Sequence, residues 1–251
     1  MIKKIDFFNK FCVSYPGPSS AQCLSLFFFR VIEGGGECLA TGSVCMAFLL
    51  VGLGNPGASY ASHRHNLGFW ALDAVAQAQG GAVFTEKPRY HLAKGTVQGA
   101  QATHQVFFLK PMTYMNLSGP PVAELARYYR LPHRNVLVFH DDLALPCGKV
   151  RVKWGGGHGG HNGLRSLDAS LGKDYGRIRL GIDHPGDKDQ VTPYVLGNMT
   201  EAEREVWEIR LNSVAQHMPV LLDSVGSNKP LSDCPGPFLT QLTRDTEARS
   251  A

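Results

Sequence analysis

The 251-residue chain has no long hydrophobic run and no clear export signal. A membrane helix needs ~20 consecutive apolar residues, and the mostly apolar run near the N-terminus, Leu24 to Phe29, stops at Arg30. The basic start contains Asp6 and Asn9, and the apolar core of a signal peptide does not follow it. We therefore expect a cytoplasmic protein with no membrane partner.

Closely spaced cysteine pairs are also missing. Four of the six cysteines lie in the first 45 residues, only Cys147 and Cys234 lie beyond them, and no CxxC pair occurs. A zinc knuckle and a CxxC redox motif are thus not indicated, and the scatter suits a reducing compartment. The net charge of +4 and pI of about 8.7 are compatible with a nucleic-acid partner but do not imply one.

The chain divides into three parts by its pattern. Residues 1–45 show no sustained helical or strand period, and we expect them to be disordered or a non-native extension before Met46. Residues 46–225 alternate buried strands with amphipathic helices and form the predicted catalytic domain. The polar residues 226–251 are expected to form a loose tail.

Helix signals are clearest in two segments. Residues 66–79 carry apolar side chains at helical spacing and end at a glycine pair. Residues 201–225 follow Thr200, and Glu203 completes a capping box, although Pro219 is expected to kink or split this helix.

A glycine-rich loop is the most informative feature. Positions 155 to 163 hold six glycines, interrupted only by His158, His161 and Asn162. Glycine at this density loses much backbone entropy on folding, so the loop makes sense where backbone must approach something closely. A flexible linker would favour other polar residues, so we predict a polar binding loop.

The glycines at 52, 54 and 57 match G-x-G-x-x-G after a predicted strand, as in dinucleotide-binding proteins. However, Pro56 removes an N–H donor, and the acidic residue expected about 20 residues on, Asp73, falls in a predicted helix. A sharp turn that presents Asn55 at the carboxyl edge of the sheet explains the same residues better.

Histidines and aspartates suggest acid–base chemistry. His63 and His65, or His158 and His161, could bind zinc, but the pairs lie in separate loops. The alternative is a dyad in which Asp141, at the end of a buried strand, orients a histidine that draws a proton from water. Each residue alone could also be an ordinary structural polar group.

Three amides, Asn55, Asn116 and Asn162, follow strands or turns that should meet at one cleft. The chain has no G-x-S-x-G elbow and no obvious nucleophilic cysteine. Amides and a His–Asp pair without a nucleophile predict direct attack of water on an acyl group.

Five linked motifs run in order from about Met46 to Ser224. They are Gly-Asn55-Pro-Gly-x-x-Tyr60-x-x-x-Arg-His65-Asn66-x-Gly68, Lys-Pro-x-Thr-Tyr-Met115-Asn116-Leu-Ser-Gly, His-Asp141-Asp-Leu-x-Leu-Pro, Lys153-Trp-Gly-Gly-Gly-His-Gly-Gly-His161-Asn162-Gly-Leu and Arg177-Ile-Arg179-Leu-Gly-Ile-x-His-Pro-Gly. Together these motifs resemble those of the bacterial-type peptidyl-tRNA hydrolases. The chain departs from the family at His63, where threonine is usual, and in residues 1–45.

The resemblance implies a single α/β domain with a twisted, mixed, largely parallel sheet flanked by helices on both faces. It implies an enzyme without cofactor or metal that cleaves the ester between peptide and tRNA. The catalytic residues it implies are His65, Asp141, Asn116 and Asn162. It also implies that the substrate and the tRNA contact Asn55, Tyr60, Asn66, Met115, Asn116, Lys153, His161, Asn162 and Arg179.

Lys153 and Arg179 are implied to clamp a phosphate of the acceptor end. We expect peptidyl-tRNA as the partner and a monomeric protein. Two alternatives remain. One is a binding protein that keeps the fold without the activity, as in organellar relatives that serve RNA splicing; the other is an esterase for small substrates, which would not need the clamp.

Overall fold

A seven-stranded mixed sheet forms the centre of the structure, a computed structural model that describes residues 46–227 and 230–250. The expectation for residues 1–45 lies outside this range. The sheet order is β2-β3-β4-β1-β5-β7-β6, with the central strands β4, β1, β5 and β7 parallel and the edge strands antiparallel. The strands are β1 Ala47–Gly52, β2 Thr85–Lys87, β3 Tyr90–Gln98, β4 Thr103–Pro111, β5 Val136–Asp142, β6 Val150–Trp154 and β7 Gly176–Gly181.

Helices cover both faces of this sheet, which confirms the predicted α/β class. Two buried apolar clusters mark the two faces, one formed with α1, α5 and α6 and the other with α2 and α3. Strand β1 and the first four residues of β5 are wholly apolar and, apart from Ala47, buried, as expected for strands that are covered on both faces. The helices are α1 Leu67–Ala78, α2 Gly119–Tyr128, α3 Asn162–Leu171, α4 Val191–Val195, α5 Glu201–Gly226 and α6 Pro235–Ser250.

Glycines let α1 approach the sheet at backbone distance. A Cβ on Gly68 would lie 2.5 Å from the carbonyl oxygens of Leu53 and Phe139, and a Cβ on Gly52 would lie 2.4 Å from the Gly68 oxygen. A Cβ on Gly54 would meet the Phe69 ring at 2.7 Å. The first two glycines of the G-x-G-x-x-G pattern therefore serve helix packing, and the chain after them forms short 3-10 turns before α1 begins.

We expect Gly68→Ala to destabilise the fold by about 1–3 kcal/mol, because its methyl group would meet backbone that cannot move aside. Thermal unfolding would show this as a melting temperature lowered by several degrees. Gly236→Ala is the matched control near the start of α6, where an added Cβ meets nothing within 4 Å. Equal melting temperatures for the two variants would contradict the packing role of Gly68.

The long helix α5 runs unbroken through Pro219. Thr200 and Glu203 form the predicted capping box, but the predicted split is wrong. Proline removes the hydrogen bond to the carbonyl of Ala215, and Gln79 Nε2 donates to that oxygen instead at 3.0 Å. Although α5 is 26 residues long, none of the helices in the described ranges is apolar enough over a sufficient length to span a membrane.

The prediction of a loose tail over 226–251 is wrong, because α6 packs against α5. Cys234 and Phe238 are fully buried, and Leu242 is 4% exposed. These side chains recur every four residues and form one apolar stripe, which the surrounding polar residues obscure in the sequence.

Candidate active site

A cavity of about 950 Å³ opens at the carboxyl edge of the parallel strands. It lies among the loops after β1, β4 and β5, the glycine-rich loop before α3, and α4. The structure therefore gathers distant motifs at one edge of the sheet, as expected for an open α/β fold. The predicted residues that line the cavity are Asn55, Tyr60, His65, Met115, Asn116, Asp141, Lys153, His161, Asn162 and Arg179.

His65 and Asp141 form the centre of this cavity. His65 lies in a 3-10 turn (Arg64–Asn66) at the entry to α1, and Asp141 lies at the end of β5. Nδ1 of His65 is 2.9 Å from both carboxylate oxygens of Asp141. The two side chains are 10% and 3% exposed, so the pair is shielded from water on most sides.

His161 is the second imidazole on this carboxylate, with its Nε2 2.9 Å from Asp141 Oδ1. As the N-cap of α3, its Nδ1 accepts hydrogen bonds from the N–H groups of Gly163 and Leu164 at 3.1 and 3.3 Å. Nδ1 is therefore unprotonated, and Nε2–H donates to Asp141. Both ring nitrogens of His161 are therefore engaged within the protein, and its ring also lines the cavity.

These contacts assign the proton positions at Asp141. Burial opposes a charge there, but His65 and His161 hold the pKa of Asp141 far below its usual range, so it remains a carboxylate. Burial lowers the pKa of His65, yet the charge of Asp141 outweighs it and leaves that pKa above its ordinary value. His65 donates from Nδ1–H, which leaves the Nε2 lone pair without a partner in the described structure.

A third imidazole, His140, lies beside this pair. Its Nδ1–H donates to the carbonyl of Asp141 at 2.8 Å, and its ring meets that of His161 edge-on at 5.2 Å. Burial and His161 lower the pKa of His140 to about 4, so it is neutral at physiological pH. Sequence reasoning gave His140 no role, although it directly precedes Asp141 in a buried strand.

The amides occupy two different positions. Asn116 and Asn162 are exposed to the cavity, and Asn162 Oδ1 accepts from Arg165. Asn55 is buried, and its Oδ1 accepts from Met115 N at 2.8 Å, so it ties the loop after β1 to the start of the 3-10 turn Met115–Leu117.

Asn66, a predicted substrate contact, is not among the residues that line the cavity. Both polar atoms of its side chain bond the backbone of Asn55, at 2.9 Å each. It therefore supports the loop that presents Asn55. Tyr60 lines the cavity and packs edge-on against His63, the departure from the family pattern, with ring centroids 5.2 Å apart.

Two cations lie at the β6–β7 side of the cavity. Lys153 is exposed on β6, and Arg179 lies on the neighbouring strand β7. Arg179 Nε donates to Asp142 Oδ2 at 2.6 Å, a pairing that the sequence did not suggest. Burial opposes the charge of Asp142, but Arg179 lowers its pKa overall, so the pair is ionic at neutral pH. The Arg179 terminal nitrogens have no partner among the described residues.

Arg177, which is buried on β7, supports the glycine-rich loop. Its guanidinium donates to the carbonyls of Gly156 and Gly157 at 2.8 and 2.6 Å and to Asp168 at 2.8 Å. Alternation along β7 places Arg177 and Arg179 on one face, the only sequence signal for this support.

Within the described ranges, one group of metal-ligating side chains comes close together: atoms of His65, Asp141 and His161 lie within 4.8 Å of one another. His65 Nδ1 and His161 Nε2 already donate protons to the carboxylate, so a metal ion there would have to displace both protons. Neither histidine pair that the sequence offered for zinc forms such a group in the described structure.

Comparison with known proteins identifies the family. The family model described as Peptidyl-tRNA hydrolase matches residues 49–233. The chain is 49% identical over 174 residues to the peptidyl-tRNA hydrolase of Rhodospirillum centenum, covering 69% of this chain and 75% of that protein. For the enzyme of Rhizobium meliloti the identity is 43% over 174 residues, with 69% and 71% covered.

Solved structures agree with this assignment. A crystal structure of a variant peptidyl-tRNA hydrolase from Acinetobacter baumannii aligns with a TM-score of 0.68 at 33% identity, covering 78% of this chain and 94% of that chain. Another, from the same organism, has a TM-score of 0.61 at 34% identity and covers 79% and 93%. The chain therefore belongs to the peptidyl-tRNA hydrolase family of enzymes.

Proposed function

We propose that this protein hydrolyses the ester between the peptide and the 3′-terminal ribose of peptidyl-tRNA, with water activated by His65. The observation that carries the mechanism is the unoccupied Nε2 of His65. Among the imidazoles on Asp141, His161 uses both nitrogens, whereas His65 uses only Nδ1. The Nε2 of the neighbouring His140 also lacks a partner among the described residues, but it is buried. His65 is thus the residue of this group that can accept a proton from water.

The reaction follows from these proton positions. His65 Nε2 takes a proton from water as the water oxygen attacks the ester carbonyl carbon. Asp141 stabilises the imidazolium that forms, and Asn116 and Asn162 donate to the developing oxyanion. Collapse of the tetrahedral intermediate breaks the bond to the ribose oxygen, and the imidazolium returns its proton to that oxygen. The products are a peptide carboxylate and free tRNA.

The direct test is incubation of the purified protein with N-acetyl-aminoacyl-tRNA and with free aminoacyl-tRNA. We expect release of free tRNA from the blocked substrate only. Addition of EDTA should leave the rate unchanged, because this mechanism draws on side chains alone. Absence of release from the blocked substrate would overturn the proposed function.

Lys153 and Arg179 are proposed to bind a phosphate of the acceptor end. We expect Lys153→Ala to raise KM for peptidyl-tRNA and to reduce the slope of its salt dependence by about 1, because one phosphate contact is lost. A minimal ester that carries only the terminal nucleoside should be cleaved as by the wild type. Steady-state kinetics at several salt concentrations measure both.

Lys87→Ala is the matched control for this prediction, since Lys87 is an exposed lysine on β2, at the opposite edge of the sheet from β6. It should leave KM unchanged. Equal losses on the full and the minimal substrate would instead mean that Lys153 supports the reaction itself, as in an esterase for small substrates.

A further inference from the structure

The segment that carries His65 is joined to a distant part of the chain. Arg64 N donates to Gly197 O at 3.1 Å, and Met199 N donates to Ser62 O at 2.9 Å. An isolated antiparallel bridge lies between these two bonds. The backbone of the catalytic segment therefore has its partner in the chain that follows α4.

The Arg64 side chain strengthens this junction. Its Nε and Nη2 each donate to the Glu203 carboxylate at 2.8 Å, and its Nη1 donates to Tyr194 O at 3.2 Å. The guanidinium carbon also lies 4.2 Å from the centre of the Tyr194 ring. Arg64 is 9% exposed, and a bidentate, stacked arginine of this kind has one defined orientation.

The partners of Arg64 belong to the wall of the cavity. Tyr194 lies in α4, where Val191 and Val195 line the cavity, and its hydroxyl donates to the carbonyl of Ile182, just after β7. Glu203 lies in the first turn of α5. Arg64 thus connects the segment of the base to the wall opposite it.

We propose that Arg64 is a positioning residue for peptidyl-tRNA hydrolysis. Fixed between Glu203 and Tyr194, it holds the backbone of His65 at a constant distance from α4, so that the base stays against Asp141 when substrate fills the cavity. The proposal rests on the proposed function above. We expect the loss of Arg64 to have a large effect on the rate, because a residue outside the reacting groups that misplaces them by about 1 Å can lower the rate ~100-fold.

The test is Arg64→Lys, which keeps the charge but not the fork of donors. At a temperature where the variant is fully folded, we expect kcat on N-acetyl-aminoacyl-tRNA to fall about 10- to 100-fold, with the affinity for uncharged tRNA unchanged. The NMR signal of the His65 Nδ1–H proton should shift or broaden, since its bond to Asp141 loosens. A merely structural role would lower the melting temperature and change neither kcat of the folded protein nor this signal.

If Arg64→Lys does not fold, Glu203→Gln tests the same proposal. This variant keeps one acceptor oxygen for Arg64, so its loss of kcat should be smaller than that expected for Arg64→Lys. Glu203 also takes part in the cap of α5, so Thr200→Ala is the control that loses the hydroxyl of the cap but keeps both Glu203 oxygens as acceptors for Arg64. It should lower the melting temperature and leave kcat unchanged. Arg89→Lys is the second control, since Arg89 pairs with Glu124 on the surface.

The outcomes separate this proposal from the function itself. A wild-type protein that releases nothing from blocked aminoacyl-tRNA overturns the proposed function and this proposal with it. An active wild type whose folded Arg64→Lys or Glu203→Gln variant keeps full kcat overturns the positioning role alone.

Discussion

Replacement of His65 by alanine is expected to lower kcat by about 100- to 10,000-fold, the usual contribution of a positioned general base. His161 cannot take over, because its Nδ1 accepts from two N–H groups of α3 and its Nε2–H donates to Asp141. His140 is no substitute either, because its pKa of about 4 makes it a weak base. Single-turnover hydrolysis of N-acetyl-aminoacyl-tRNA measures the loss.

The affinity for uncharged tRNA should change little in His65→Ala, because the proposed phosphate contacts come from Lys153 and Arg179. His133→Ala is the matched control: His133 is exposed and lies before β5, at the end of the strand opposite Asp141. It should keep both kcat and affinity. Near wild-type turnover by His65→Ala would show that another group activates the water.

The fold could be predicted well where its signal is local. The apolar run after Met46 and the capping box of Thr200 and Glu203 report on neighbouring residues, and the structure confirms both. Helix α6 was missed because its apolar stripe has one member per turn. Unbroken passage of α5 through Pro219 was missed because it depends on Gln79, 140 positions away in the chain.

The sequence predicted which residues lie at the site better than it predicted the hydrogen bonds between them. Strand ends and loops show which polar groups meet at the carboxyl edge, and the resemblance to the family implies that Asp141 pairs with His65. Which nitrogen of which ring bears a proton depends on three-dimensional neighbours. For His161, the N–H groups of α3 determine which ring nitrogen is unprotonated. The motif alone does not show that the side chain of Asn66 forms hydrogen bonds with the backbone of Asn55.

The part of the cavity wall formed by α4 could not be predicted from the sequence either. Val191, Thr192 and Val195 line the cavity, yet they carry no reactive group and no motif that marks a site. Arg64 likewise was assigned no role from the sequence. Only its contacts with Glu203 and Tyr194 show that it is buried between the base and this wall.

Asp141→Asn is expected to reduce the maximal rate about 10,000-fold, through the wrong tautomer of His65. The N–H groups of α3 hold His161 as the Nε2–H donor, so it takes the amide oxygen of the new side chain. The amide NH₂ then replaces one of the two carboxylate oxygens that lay 2.9 Å from His65 Nδ1, and the other oxygen already accepts from His161. A donor there favours the tautomer protonated on Nε2, and that ring cannot accept a proton from water.

The pH profile of this variant should move in a defined direction. The base must be neutral, so the rate rises with pH through the pKa of His65, which the charge of Asp141 holds above its ordinary value. In Asp141→Asn that charge is absent and burial alone remains, so the pKa falls. The acidic limb of kcat/KM, measured from about pH 5 to 9, should shift to lower pH while the plateau drops.

Asp73→Asn, at an exposed surface pair with Lys110, should change neither the plateau nor the limb. An acidic limb that stays in place in Asp141→Asn would show that the titrating base is not coupled to Asp141. A plateau within about tenfold of the wild type would contradict the tautomer argument, because a ring protonated on Nε2 has no lone pair left for water.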